Sequence, residues 1–539
     1  MKKKLFSLLA IIIAFVASAQ VSFTHETFNP SGQYTICAVD MNGDFLDDIV
    51  SVSSNNIQIF YQNTDGTFTE QNFPVSPITY MPSWSIAAGD LTGNGYNDLL
   101  FGSGSGAAFL MANNDGTAFI EQSGPEFIFS QRTNFVDINS DGHLDAYVCH
   151  DIAPSVYFIN DGDGNMTFNQ GGLGDYPQGG HYGSLWVDYN NDGNIDLFIA
   201  KCSGGGQGAG AKYNELHRNN GDGTFTEIGE EAGLRDPLQT WSSAWGDFDN
   251  DGFMDVFVGA NSMSDGGHKL MKNNGDETFS DVTAGSGFDV FGGTSREHVT
   301  YDFNNDGYLD ISGNSGVIYF NNGDMTFTPF FTPFSGAAIG DLNNDGFLDA
   351  MINNSIYYNS GNSNNWIVVH TEGVESNRNG IGARVELYSA LGKQIRDVRS
   401  AEGFRFMSTI NAHFGIGTDT EIEKIIIRWP SGIVDQIDNP TINEALYVLE
   451  GSYPVVSTPD NVLADLSVYP NPAQEVLNIT YRDNIEGANV FVYDVLGRQI
   501  QTSVLDANKN VNISGLSPGV YFLKIAFNGL ETKLKFIKK

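Results

Sequence analysis

DFDNDGFMD, running from Asp247 to Asp255, is the stretch that decides how this 539-residue chain folds. Carboxylates stand at its positions one, three, five and nine, and Gly252 occupies position six. Six further stretches follow the same form: Asp40-Asn42-Asp44-Asp48, Asp90-Thr92-Asn94-Asp98, Asp137-Asn139-Asp141-Asp145, Asp188-Asn190-Asp192-Asp196, Asp302-Asn304-Asp306-Asp310 and Asp341-Asn343-Asp345-Asp349. In the quoted copy the same positions are Asp247, Asp249, Asp251 and Asp255. Calcium takes about six to eight oxygens at about 2.3–2.6 Å, and a tight turn converges alternate side chains where a residue with positive φ lets the backbone fold back. Gly95, Gly142, Gly193, Gly252, Gly307 and Gly346 stand at that place, whereas the first copy has Phe45 there and Gly43 two residues earlier. A single such stretch is an ordinary polar turn. Seven in register, each with an acid at both one and nine, imply up to seven structural Ca2+ sites, because a turn alone gives no reason for the acid at nine. The fifth copy, with four carboxylates, is expected to bind most tightly, and the second, with only Asp90 and Asp98, least.

The starting aspartates lie 39 to 59 residues apart, a period that means stacked units unable to fold singly. An apolar run such as Leu185-Trp186-Val187 precedes each loop, and another such as Leu197-Phe198-Ile199 follows it. A hairpin signature comes next, as in LHRNNGDGTFTE from Leu216 to Glu227, where Asn-Gly and Asp-Gly sit between strand-forming residues. Four short strands per unit and seven units predict an all-β fold, a seven-bladed β-propeller over residues 20–364. After the seventh loop the chain leaves at Tyr357-Tyr358-Asn359 without its outer strand, and Val21 to Phe28 has the missing pattern. The N-terminal segment is therefore expected to complete the last blade.

The loops join the first two strands of each blade, so residues at the start of the first strand lie toward the opposite face and the channel. Six residues before each loop stand Tyr34, Trp84, Gln131, Tyr182, Trp241, Arg296 and Ser335, flanked by Arg132, His181, Glu297 and His298. Flat rings with polar neighbours suit a sugar or peptide, and Tyr34, Trp84, Arg132, His181, Tyr182, Trp241, Arg296 and His298 are the candidate ligand rim. The alternative is that these rings pack between blades.

The loop repeats resemble the FG-GAP or VCBS repeats of the integrin α-subunit head. From Asn365 to Gly451 the chain is similar to the ASPIC/UnbV domain, through Asn365-Trp366-Ile367, Asn377-Arg378-Asn379-Gly380-Ile381-Gly382-Ala383, His413-Phe414-Gly415 and Arg428-Trp429-Pro430-Ser431-Gly432. Propeller followed by this domain is the order of cartilage acidic protein-like proteins. From Leu466 to Lys539, Tyr469-Pro470-Asn471-Pro472, Tyr493-Asp494-Val495-Leu496-Gly497-Arg498 and Ser517-Pro518-Gly519-Val520-Tyr521 resemble the C-terminal sorting domain of type IX secretion in Bacteroidetes, expected as a small β-sandwich. That resemblance implies export by the type IX machinery, with the protein released or held at the outer surface. Residues 452–465 read as a linker. Lys2-Lys3-Lys4, the apolar stretch Leu5–Ala17 and Ala17-Ser18-Ala19 read as a signal peptide over residues 1–19, and no apolar run is long enough to span a membrane.

A net charge of −38 argues against nucleic acid as a partner, since phosphate contacts are made by Lys and Arg. Cys37, Cys149 and Cys202 are an odd set, expected as buried thiols. No G-x-S-x-G elbow, H-E-x-x-H helix or P-loop occurs, and the nine histidines, His143, His370 and His413 among them, are scattered. The chain therefore reads as a non-enzymatic, calcium-stabilised binding protein for an extracellular glycan or protein. The alternative is a calcium-dependent carbohydrate-active enzyme of the polysaccharide lyase kind, for which no proton-transfer pair is evident.

Overall fold

The computed structural model describes residues 21–202, 208–260, 267–290, 296–313, 315–454, 466–481, 485–494, 498–505, 508–527 and 530–539. The signal peptide, and residues 455–465 of the expected linker, lie outside them. Among the described residues, seven four-stranded antiparallel sheets occupy the first part of the chain, six built from four consecutive strands around one aspartate loop and the seventh from three consecutive strands and one from the N-terminal segment. The fifth is typical: Thr240–Gly246, Asp255–Ala260, Lys269–Asn273 and Phe279–Asp281, in that order. Its second strand, DVFVGA, is buried at every position because neighbouring sheets cover both faces, so it reads as an apolar run rather than an alternation. Outer strands such as Phe68–Pro74 are mostly exposed and mixed in character. In the seventh sheet the fourth strand is Phe23–Thr27, antiparallel to Ser355–Asn359.

The first strands of sheets one to six pack in succession, and that of the seventh lies beside that of the first. Such close approach demands small residues. A Cβ on Gly246 would stand 2.6 Å from Leu309 Cδ1 of the next sheet. Neighbouring sheets are also tied by a side-chain amide at the end of the third strand in five of the seven sheets. Asn321 donates both to Phe248 O in the preceding sheet, at 2.7 Å, and to Leu309 O in its own, at 3.1 Å. Asn160, Asn273 and Asn359 bridge in the same way, and Gln62 joins Asp341 O of the seventh sheet to Asp47 O of the first.

Residues 365–454 form a three-stranded mixed sheet, Ala412–Gly417, Asn365–Glu372 and Ala445–Leu449, and a four-stranded antiparallel one, Gly392–Asp397, Arg384–Ser389, Ile422–Arg428 and Val434–Asp438. One apolar cluster runs without a break from Ile36, Ala87 and Phe135 of the first three sheets to Ile367, Met407 and Phe414 here. Residues 452–454, assigned by sequence to the linker, belong to this body instead, since Gln436 N donates to Tyr453 O and Pro454 bridges to Asp435. A second unit, from Val455, packs two small sheets around Leu477, Val490, Leu523 and Phe536.

Asn321→Ala leaves two buried carbonyls without a donor and is expected to lower unfolding stability by about 2–3 kcal/mol, against a few tenths for the exposed neighbour Asn322→Ala. Thermal melts of the two variants compare them directly, and equal melting temperatures would remove the tie from the account.

Candidate metal loops, the filled channel and the far rim

In all seven loops the position-one carboxylate accepts the backbone N–H of position six, at 2.7–3.1 Å. The position-nine carboxylate does two things at once. One oxygen accepts the N–H of position two, and the other accepts an N–H from the end of the third strand, as Asp255 does with Phe248 and Asn273. An acid at nine therefore has a structural reason of its own, which corrects the argument that only a metal could require it. Position six takes positive φ throughout, including Phe45 at 67° in the first loop. Position four does so as well, at Gly43, Gly93, Ser140, Asn191, Asn250, Asn305 and Asn344, a second left-handed residue that the glycine pattern alone did not reveal. Asn191, Asn250 and Asn305 use that geometry to donate to the carbonyl of Gly252, Gly307 and Gly346 in the following loop.

The donor set fits a hard divalent cation. Oxygens of Asp247, Asp249 and Asp255 lie within 4.8 Å of one another, and Asp249 Oδ1 is buried with no hydrogen-bond partner. Burial first, and neighbouring acids second, push Asp247 up to about 7 and Asp255 up to about 8, the condition of buried carboxylates crowded together. Lys272 already supplies one positive charge there, bonding Asp249 and, at 2.6 Å, Asp251. Thr92 Oγ1 of the second loop is likewise buried and unpartnered, and Arg378 stands 3.7 Å from Asp90.

The loop face is partly covered. The 365–454 domain sits over it, with Asn411 donating to Phe45 O, Asn379 to Asn97 Oδ1, Arg384 to Asp188 O and His413 Nε2 lying 3.0 Å from Gly346 O. From the same domain, residues 399–411 enter the channel lined by the first strands. Ser400 Oγ donates to Ala88 O, Asn134 to Ser400 O, Arg132 Nη1 to Phe406 O and Thr409 N to Ile339 O, while Met407 pairs with Ile36 and Ala38. At the tip, Phe404 N and Arg405 N donate to the two carboxylate oxygens of Glu297, which burial pushes up to about 7 against the pull of Arg132. The Phe404 ring meets Trp241 at 4.9 Å, Tyr182 at 6.2 Å and Trp84 at 6.3 Å.

This insertion revises the rim. Arg132, His181, Tyr182 and His298 are buried and committed inward: Arg132 to Phe406 O, His181 toward His150 O and Glu215, Tyr182 OH to Asp151, and His298 to Ser242. For Arg132, His181 and Tyr182 the backbone gives a cause, because register shifts between Ser130 and Thr133 and between His181 and Gly183 interrupt the pleat at that end of the strands, whereas the strand of His298 has no such shift. A fixed count back from the loop therefore misassigns which side chains face out. Tyr34, Trp84 and Trp241 remain half-buried, and Arg296 is exposed, its guanidinium 4.4 Å above the Trp241 ring. Cys37, Cys149 and Cys202 are all buried thiols.

Comparison with known proteins agrees with this organisation. Residues 40–101, 137–199 and 188–258 match the FG-GAP-like repeat, residues 373–454 match ASPIC and UnbV, and residues 467–539 match the secretion system C-terminal sorting domain. The chain is thus an all-β, propeller-like protein of FG-GAP repeats with an ASPIC/UnbV domain, carrying a type IX sorting tail that implies secretion or attachment at the outer surface. No helix among the described residues is long and apolar enough to cross a membrane. Its sequence is similar to cartilage acidic protein 1 of Mus musculus, 27% identical over 326 residues (58% of this chain, 44% of the relative), and of Homo sapiens, 29% identical over 329 residues (59% and 43%). The chain spans less than half the length of these relatives. Among solved structures it aligns with an Agrocybe aegerita lectin specific for non-reducing terminal N-acetylglucosamine, at 19% identity and TM-score 0.40 over 59% of this chain and 82% of that one. It also aligns with a Bacillus licheniformis rhamnogalacturonan lyase, at 10% identity and TM-score 0.32 over 80% and 94%. Likeness at this level does not bear on activity.

Two outcomes follow from the loops and the channel. Excess EGTA is expected to lower the melting temperature by several degrees, since each ion held at about 100 times its Kd adds about 2.7 kcal/mol, and melting unchanged by chelator removes the metal from the loops. Phe404→Ala empties the space between three aromatic rings and is expected to cost about 3–5 kcal/mol, read in a denaturant melt followed by tryptophan fluorescence. A melt that overlays the parent would mean that the tip of the insert does not hold the channel.

Proposed function

We propose that this protein is a secreted or surface-held recognition protein whose seven sheets form a closed seven-bladed ring, completed by the N-terminal strand and fastened by Ca2+ in up to seven loops. The far rim, opposite the appended domain, meets an extracellular glycan or protein. One observation carries this reading: the exposed Arg296 stacked on half-buried Trp241, at the end of the channel that the appended domain leaves uncovered. An aromatic face with a cation held flat against it serves both sugar rings and peptide side chains. Half-buried Trp84 stands beside Phe404 on the same rim. The proposed limits of the parts are residues 1–19 for the leader, 20–364 for the ring, 365–454 for the appended domain and 466–539 for the sorting tail.

Trp84→Ala and Trp241→Ala are poor probes of binding, because both rings also support Phe404. Arg296→Gln separates binding from folding. Glycan arrays and surface pull-downs with the full chain in Ca2+ are expected to give hits that weaken at least tenfold in Arg296→Gln, with unchanged melting. Hits indifferent to Arg296→Gln and to a conservative Trp84→Phe would place recognition elsewhere.

A further inference from the structure

Six of the seven loops are closed at position six by the appended domain. Phe45 stacks on His370 and meets the Tyr447 ring at a tilt, and a Cβ at Gly95, Gly142, Gly252, Gly307 or Gly346 would meet Arg378, Glu375, Lys393, Leu391 or Trp366, respectively. A Cβ at Gly193, in the fourth loop, would meet nothing within 4 Å. That loop opens instead onto a cleft of about 530 Å³ between the sheets and the 365–454 domain. Its far wall carries Arg428-Trp429-Pro430-Ser431-Gly432, the motif whose presence the rim does not explain.

We propose that this cleft binds a small acidic saccharide, a hydroxyl-rich ring bearing one carboxylate. The volume suits one or two sugar rings. Arg428 and Lys393 are partly exposed cations that converge on the same buried carboxylate, Glu386, at 2.9 Å through Arg428 Nε and at 3.4 Å through Lys393. This pair already accommodates one carboxylate, and the two terminal nitrogens of Arg428 are left to hold a second in the bidentate manner of guanidinium. Pro430, Ile433 and Val434 provide an apolar strip for the carbon face of a ring, and Asp192 an acceptor for its hydroxyls. The motif's other polar groups are occupied elsewhere, Trp429 Nε1 on Asp435 and Ser431 Oγ on Glu450, so Arg428 is the member of the motif directed to a ligand. With a net charge of −38 the chain repels a long polyanion, which restricts the ligand to a short one.

The site is independent of the far rim, and titration calorimetry of the full chain in Ca2+ with digalacturonate distinguishes the two. Saturable, salt-sensitive binding is expected, weakened at least tenfold by Arg428→Met and by Lys393→Met, left unchanged by Arg296→Gln, and absent with a neutral disaccharide. No saturable heat with digalacturonate, or binding that survives both cleft variants at unchanged melting temperature, overturns the proposal. Tighter binding of a short acidic peptide at the same two residues overturns the saccharide assignment.

Discussion

A buried aspartate at position nine of each loop is the constraint from which the rest follows. Its two oxygens hold the N–H just past the first strand and the N–H ending the third, while its own backbone starts the second. One side chain thus fixes three strands of a sheet at one end. An ionised carboxylate accepting two backbone N–H groups is a strong fastener, but burying it beside other acids is expensive. The position-one aspartate, buried in five of the seven loops, adds to the same charge. The proposed divalent ion would offset that cost, since it attracts every carboxylate in the loop and leaves the backbone bonds in place.

With the loops held, their outer surface becomes a rigid seat for the appended domain. Contacts to the first, second, fourth and seventh loops run through Asn411, Asn379, Arg384 and His413, and the 399–411 segment descends among the first strands as far as the opposite end. The channel is therefore a core. Arg132, which would otherwise face water there, spends its charge on Phe406 O with Glu297 and Glu402 nearby. Recognition is left to surfaces that this packing does not consume.

The repeat, the strand pattern and the domain order were legible because each rests on local chemistry. Aspartate spacing, Asn-Gly hairpins and apolar runs act over fewer than a dozen residues. What sequence did not reveal depends on contacts between distant segments. Phe404 meets Trp84 and Trp241 across more than 150 residues of sequence, and nothing near Glu402-Gly403-Phe404-Arg405-Phe406 marks it as an insert beyond an aromatic run without strand alternation. The rim differs for a related reason, since the register shifts after Ser130 and His181 break the count that sets Gln131 and Tyr182, with their neighbours Arg132 and His181, facing outward. The left-handed asparagines at position four were visible in the sequence, and their tolerance of positive φ was the signal that could have found them.

Arg384 joins the metal question to the cleft. Its guanidinium bonds Asp188 O at 2.6 Å and the Asn191 side chain, both in the fourth loop, and is held from behind by Asp397 at 2.7 Å. The wall of the cleft and the conformation of the loop are thus one rigid arrangement. An ion that holds Asp188, Asn190, Asp192 and Asp196 together also fixes Arg384, and with it the floor beneath Arg428 and Lys393. By linkage the dependence runs both ways, so a ligand seated in the cleft tightens the ion by the factor with which the ion tightens the ligand. The fourth loop is where the proposed ion and the proposed ligand would share atoms, at a position six that the appended domain leaves open while covering the same position of the other six.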